Sequence, residues 1–186
     1  MEYTLEEKYS LIKKSILQET SKNPIEIVKS IMHKEFVNIH GPEHHFLDGA
    51  AFLVAYKNAG GNIDLEIVLD KLKERTIKMP GAMCGLWGIC GSIASIGAAL
   101  SIIHQTGPLS DDNFYKDHME YTSFVILKMS QIGGPRCCKR NAFLSLSEAV
   151  KFIERKYKIQ MDLESIHCEF SSWNKQCIGS RCPYHK

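Results

Sequence analysis

At 186 residues, with 23 Lys and Arg against 21 Asp and Glu, the chain has a net charge of +2. That length suits a single domain with a proper core, and the balanced charge lacks the polyelectrolyte signature of a nucleic-acid or anionic-membrane binder. Seven cysteines accompany an N-terminus, MEYTLEEKYS, that has neither the basic start nor the apolar core of a secretory signal. A cytoplasmic location with reduced thiols kept for metal or redox work is therefore expected, not a disulfide framework.

Thr4 and Glu7 form a capping-box pattern, and Leu5, Tyr9, Ile12 and Ile16 follow at helical spacing. Asn23-Pro24 opens a second helix through about Phe36. A third begins after Gly41-Pro42, carries Phe46, Leu47, Ala50, Phe52, Leu53 and Val54, and stops at Gly60-Gly61. Asp64 starts a fourth, ending near Arg75. The run Met79–Ile103 then goes twenty-five residues without a charge. It passes the length test for a membrane span, roughly 20 apolar residues. Its five glycines and four alanines nevertheless supply little transfer energy to lipid, and no second span exists to pack against it, so it is expected to be a central buried helix closing at Thr106-Gly107-Pro108.

Asp111 and Asp112 begin a sixth helix, which ends at Gly133-Gly134-Pro135; a Ser145/Glu148 box caps a seventh, with Leu146, Val150, Ile153 and Tyr157 on one face. No stretch alternates convincingly as a strand. The expected fold is all-α: one domain over 1–186, a bundle around the small-residue helix, with 161–186 an irregular cysteine-bearing tail.

Three groups can carry chemistry. In the tail, Cys168-x8-Cys177-x4-Cys182-Pro183 offers three thiolates, one short of a closed tetrahedral site. The fourth ligand would be His167, His185 or a cysteine elsewhere; alternatively three thiolates hold a four-iron cluster with one iron open, and the Cys-Pro ending matches how iron–sulfur runs often finish. In Gly133-Gly134-Pro135-Arg136-Cys137-Cys138-Lys139-Arg140, three cations flank two adjacent thiols and are expected to lower their pKa values. One thiol of the pair should face a site and the other pack. Gly134 and Arg136 suit an anion, unless the cations are only a solvated polar face.

The third group is His40-Gly41-Pro42-Glu43-His44-His45-Phe46-Leu47-Asp48. His44 and His45 fall in the first turn of a helix, where the dipole keeps imidazoles neutral, and His44 and Asp48, four apart, share a face. With His40 they suit zinc or iron, or a base poised by a carboxylate, and Gly41 leaves room for a ligand. Cys84 and Cys90 would lie ~240° and ~9 Å apart on one continuous helix, too far to share an ion, so either the helix starts after Cys84 or the two serve different partners. An early turn at Gly85 and Gly88 would let Trp87 shield the site.

The stretches HGPEHHFLDGAAFLVAYKNAGG, MPGAMCGLWGICGSIASIGAALSII, GGPRCCKRNAFLSL and CEFSSWNKQCIGSRCP, in this order, resemble an uncharacterised bacterial and archaeal family common in anaerobes. That family is sometimes joined to methyltransferase domains dependent on S-adenosylmethionine. The resemblance runs from about His40 to Cys182 and implies that the motif cysteines and histidines form one site. It implies no activity, and the chain has no glycine-rich strand–helix motif for a methyl-donor nucleotide, so a methyltransferase would be a separate partner.

The expected function is an iron–sulfur protein, 4Fe-4S first among clusters, or another thiolate-metal protein, with a redox or sulfur-transfer role on a small molecule or partner protein. The ligand candidates are Cys84, Cys90, Cys137, Cys138, Cys168, Cys177, Cys182, His40, His44 and His45; His44, Cys84 and Asp48 are the catalytic candidates. The alternative is a non-catalytic accessory module with structural zinc that serves a methyltransferase.

Overall fold

The computed structural model describes residues 3–185, and every regular element among them is helical. Helix α1 (Leu5–Ile16) starts at the expected capping box, with both reciprocal hydrogen bonds between Thr4 and Glu7 in place. Helix α2 (Pro24–Met32) is capped by the Asn23 side chain and ends four residues before Phe36. Helix α3 (His44–Asn58) follows Gly41-Pro42, and Asp64 caps α4 (Leu65–Thr76) by accepting the Ile67 N–H. Apart from the earlier end of α2, these helices lie where the spacing puts them.

Helix α3 is the axis of the molecule: every residue from His44 to Tyr56 is buried. Helices α1, α2, α4, α6 (Gly91–Ile103) and α8 (Cys138–Tyr157) all pack on it. It approaches α6 closely because both are lined with small residues. The Gly49 N–H donates to Ser95 Oγ at 3.0 Å, and a Cβ at Gly49 would come within 2.4 Å of that oxygen. Interdigitation at this density leaves no slack, so even one added carbon would be felt.

The charge-free run is not one helix. A short helix α5 (Met83–Leu86) precedes α6; Ala82 at φ 61° leads into α5, and Gly88 at φ 72° lies between the two helices. Left-handed backbone at both points breaks the helical path. Cys84 therefore sits on α5, and Cys90 is the residue before α6. Trp87 is 65% exposed and shields nothing.

Helix α7 (Asn113–Ile132), capped by Asp112, rests on the core through Asp117, Tyr121 and Val125. Helix α8 begins seven residues before the Ser145/Glu148 pair that was expected to cap it. Its start is marked by Cys137, whose Sγ accepts the Arg140 N–H at 3.5 Å, and Phe143 and Leu146 carry the apolar stripe back to that point. Ser145 is buried mid-helix, and its carbonyl accepts the Tyr121 hydroxyl.

The tail beyond α8 contains two 3-10 turns, Ser171–Trp173 and Gly179–Arg181. It is fastened to the bundle. The Asp162 N–H reaches the Lys22 carbonyl at 3.1 Å, Glu169 pairs with Lys29 and His33, and Phe170 is buried beside Phe143. Among the described residues no helix is long and apolar enough to cross a membrane.

Candidate functional site

Helices α3, α6 and α8 start at one end of the bundle and enclose a cavity of about 300 Å³. His44, His45 and Asp48 come from α3, Cys90 from the entry to α6, Cys138 and Asn141 from α8, and Cys84 from α5. His40 and Arg136 stand at loop positions on its wall. The expected HGPEHH group, the Cys84/Cys90 pair and one thiol of the Cys-Cys pair are thus brought together. Gly134 is not: it lines a neighbouring, more open cavity of about 650 Å³ on the side of α7, to which Arg136, Cys84 and Cys90 also contribute.

The walls of the central cavity are polar and short of partners. Among the described residues, seven buried side-chain atoms have no hydrogen-bond partner, and five of them line this cavity: both Asp48 oxygens, His44 Nδ1, His45 Nδ1 and Ser92 Oγ. Buried polar groups in proteins are nearly always satisfied, so such a concentration is a signal in itself. Both histidines are buried. Each ring has a partner elsewhere: His44 Nε2 lies 3.1 Å from the Asn38 carbonyl, and the His45 ring donates to the Met79 backbone.

Burial governs the titration of the cavity. It pushes the Cys138 thiol up to about 12 and the Cys90 thiol up as well, against the expectation that nearby cations lower the Cys138 value. Removal from water penalises a bare thiolate more than Arg136 can compensate. Asn141 Nδ2 donates to Cys90 Sγ at 3.3 Å. Burial likewise lowers His45 and His40. The space expected beside Gly41 is filled by Glu43, whose carboxylate a Cβ at Gly41 would meet at 2.1 Å; Glu43 accepts the Asn38 N–H at 2.7 Å.

A further, narrow cavity lies under the tail. Cys137, Cys168, Cys177 and Cys182 all line it, with Phe143, Phe170 and Tyr184 as apolar walls. The thiol that joins the three of the tail on this wall is Cys137; His185 lies on the wall as well, and His167 does not. Two of the sulfurs receive N–H groups: Cys168 Sγ from Phe170 at 3.4 Å, and Cys137 Sγ from Arg140 N and from Asn174 Nδ2 at 3.5 Å. The Cys168 N–H donates to the Tyr184 carbonyl at 2.7 Å, which closes the tail into a loop around the thiols. The free space among them is about 20 Å³. Among the described residues, no three His, Cys, Asp or Glu side chains stand close enough, as they are oriented, to hold one metal ion.

The cysteines and histidines thus form two groups, not the single site implied by the resemblance, and α8 separates them at its first turn. His40 links them: its Nε2 lies 3.0 Å from Asn174 Oδ1 of the tail, and its Nδ1 faces the Cys138 N–H at 3.5 Å. Between the two cavities lies Lys139, fully buried. Its ammonium donates to the Asn38 carbonyl at 2.8 Å, approaches His44 Nε2 at 3.2 Å and sits over the Phe170 ring. Burial lowers its pKa to about 8. Arg140 is buried too, donating to the Gly133 and Pro135 carbonyls, so neither is a solvated surface cation. Sequence reasoning missed the roles of Lys139, Asn141 and Asn174. Placing the helix start at Cys137 would have put Lys139 in the first buried turn.

An all-α bundle with a buried His/Asp/Cys cavity and a separate four-cysteine loop defines a class of cysteine-rich helical protein. The chain belongs to DUF5714, a family of unknown function, which matches residues 12–185. No curated protein and no solved structure matches it.

Proposed function

We propose that the protein is an iron–sulfur protein whose centre is held by Cys137, Cys168, Cys177 and Cys182, and that it serves redox or sulfur-transfer chemistry on a small molecule received in the adjacent cavity. The observation that carries this reading is the convergence of four thiols from two separate segments on one apolar-walled space. The donor set suits the group: four cysteines with N–H groups directed at two of the sulfurs are the ligation by which clusters are held and tuned. Lys139 and Arg140, both buried and both on the same wall, would offset the negative charge of a tetrathiolate centre. Bound there, a cluster would supply one-electron chemistry. Cys84, half-buried in the wall of the neighbouring cavity, is the thiol best placed to meet a substrate, and Arg136 the cation to orient an anionic one.

The narrow space among the four cysteines, about 20 Å³, favours a second reading, a single structural zinc gathered by rotation of the four thiols. Under that reading the protein is an accessory module, with a methyltransferase as its candidate partner. Anaerobic purification followed by a visible spectrum and by iron, sulfide and zinc analysis separates the two. Brown protein with iron and sulfide in equal amounts is expected; colourless protein with stoichiometric zinc would end the cluster reading.

A further inference from the structure

Asp48 is the most demanding side chain in the molecule: it is fully buried, neither oxygen has a hydrogen-bond partner among the described residues, and the residue lines the central cavity. An isolated carboxylate out of water costs several kcal/mol unless a cation or a proton compensates it. The nearest ionic neighbour is His44, with Nδ1 3.6 Å from Asp48 Oδ1. That separation is too long for a hydrogen bond. It is close to the spacing of two ligands on one ion, because nitrogen and oxygen each about 2.0–2.2 Å from a tetrahedral metal lie roughly 3.3–3.5 Å apart. The rest of the His44 ring is arranged to match. Nε2 lies 3.1 Å from the Asn38 carbonyl and 3.2 Å from the Lys139 nitrogen, and in the tautomer that donates Nε2–H to Asn38 the free lone pair is on Nδ1, the nitrogen nearer Asp48. Metal-binding histidines commonly hold their second nitrogen in this way.

From this geometry we infer that the central cavity is a metal site in its own right: His44 Nδ1 and Asp48 anchor a divalent transition ion such as iron(II) or zinc(II). No third donor stands within reach of the same ion as the side chains are oriented among the described residues, so the remaining positions would be filled by rotation of other residues on the cavity wall, His45, Cys90 and Cys138. Mixed nitrogen, oxygen and sulfur donors suit these ions and not calcium or magnesium. His44 and Asp48 lie one turn apart on the most deeply buried helix, which fixes their spacing before any ion arrives. The protein would then carry two metal centres on opposite sides of the first turn of α8. The inference does not depend on what the tail holds.

Cobalt(II) is the probe. In the full chain carrying Cys177→Ser and Cys182→Ser, the tail thiol set is broken, so visible d–d absorption on anaerobic titration reports the cavity alone. One equivalent is expected, and His44→Ala or Asp48→Asn added to that background should weaken it by at least about a hundredfold. Metal-free Asp48→Asn should melt no lower than its parent, because it removes an uncompensated charge. Unchanged cobalt binding in both variants, or none in the background, would overturn the inference. If the double-serine protein does not fold, the wild type and Asp48→Asn are compared directly: loss of one cobalt equivalent supports the site, and equal stoichiometry removes it.

Discussion

The neighbouring thiols of Cys137 and Cys138 serve different cavities: Cys137 lines the four-cysteine loop of the tail, and Cys138 lines the central cavity. Cys137 is the residue before α8 and Cys138 the first within it, so the backbone turns from extended to helical between them and their side chains diverge.

The pair therefore gives a direct test of the division. Cys137→Ser should strip the tail of its metal and leave residues beyond Met161 open to protease, whereas Cys138→Ser should keep both the tail metal and the protease resistance. Metal analysis and limited proteolysis read the difference. Equal loss in both variants would mean that a single centre spans the two cavities.

Gly91 sets how closely α6 approaches His45. A Cβ there would lie 2.1 Å from His45 Cδ2 and 2.3 Å from Nε2. Gly91→Ala should therefore displace the ring and lower stability by about 1–3 kcal/mol in urea unfolding. Gly81, on the same cavity wall, has nothing within 4 Å of its added Cβ, so Gly81→Ala is expected to be silent.

Lys139 places a buried positive charge beside the four thiols. Lys139→Met keeps the stem and removes the charge, which disfavours adding an electron nearby. The midpoint potential of a cluster in the tail should move to more negative values, as protein-film voltammetry would read. A rise on losing this cation would contradict the proposed placement.

Asp117 ties α7 to α8. Burial alone pushes its pKa up, but hydrogen bonds from the Tyr157 hydroxyl at 2.7 Å and the Lys156 ammonium at 3.0 Å outweigh it and hold the value below the usual carboxylate range. A group lowered on folding contributes stability above its unfolded pKa, about 3.9, and that stability fades as pH falls through the folded value. Asp117→Asn should cost about 1–3 kcal/mol at neutral pH and flatten the acid limb of the stability profile. An unchanged acid limb would show that another carboxylate controls it.

How much of this could be read from the residues depends on whether the information is local. The capping of α1, α2, α4 and α7 depends on the side chains at Thr4, Asn23, Asp64 and Asp112, and each helix starts where those residues put it. The start of α8 was misplaced because a cysteine caps it, while the Ser145/Glu148 box that imitates a start is held by tertiary partners, Tyr121 and Lys128. The break in the charge-free run falls at Gly88, in left-handed backbone that a glycine adopts readily, whereas the left-handed Ala82 that leads into α5 is a residue with no such preference. The site residues were visible as types and spacings. Their division between two cavities was not, because it depends on where the tail docks, through Glu169, Phe170 and Asn174. The fate of Lys139 was hidden for the same reason: a lysine beside an arginine looks solvated until the tail covers it.

Helix α3 has no solvent-facing side from His44 to Tyr56, and the same helix supplies the floor of the central cavity. Whatever settles on His44 and Asp48 therefore acts on the element that every neighbouring helix leans against, and its binding energy adds directly to the unfolding free energy. Melting temperature becomes an assay for binding in this cavity: a ligand at a hundred times its dissociation constant adds about 2.7 kcal/mol. A panel of metals and small anions screened by thermal shift would rank the occupants of this cavity before any activity is known.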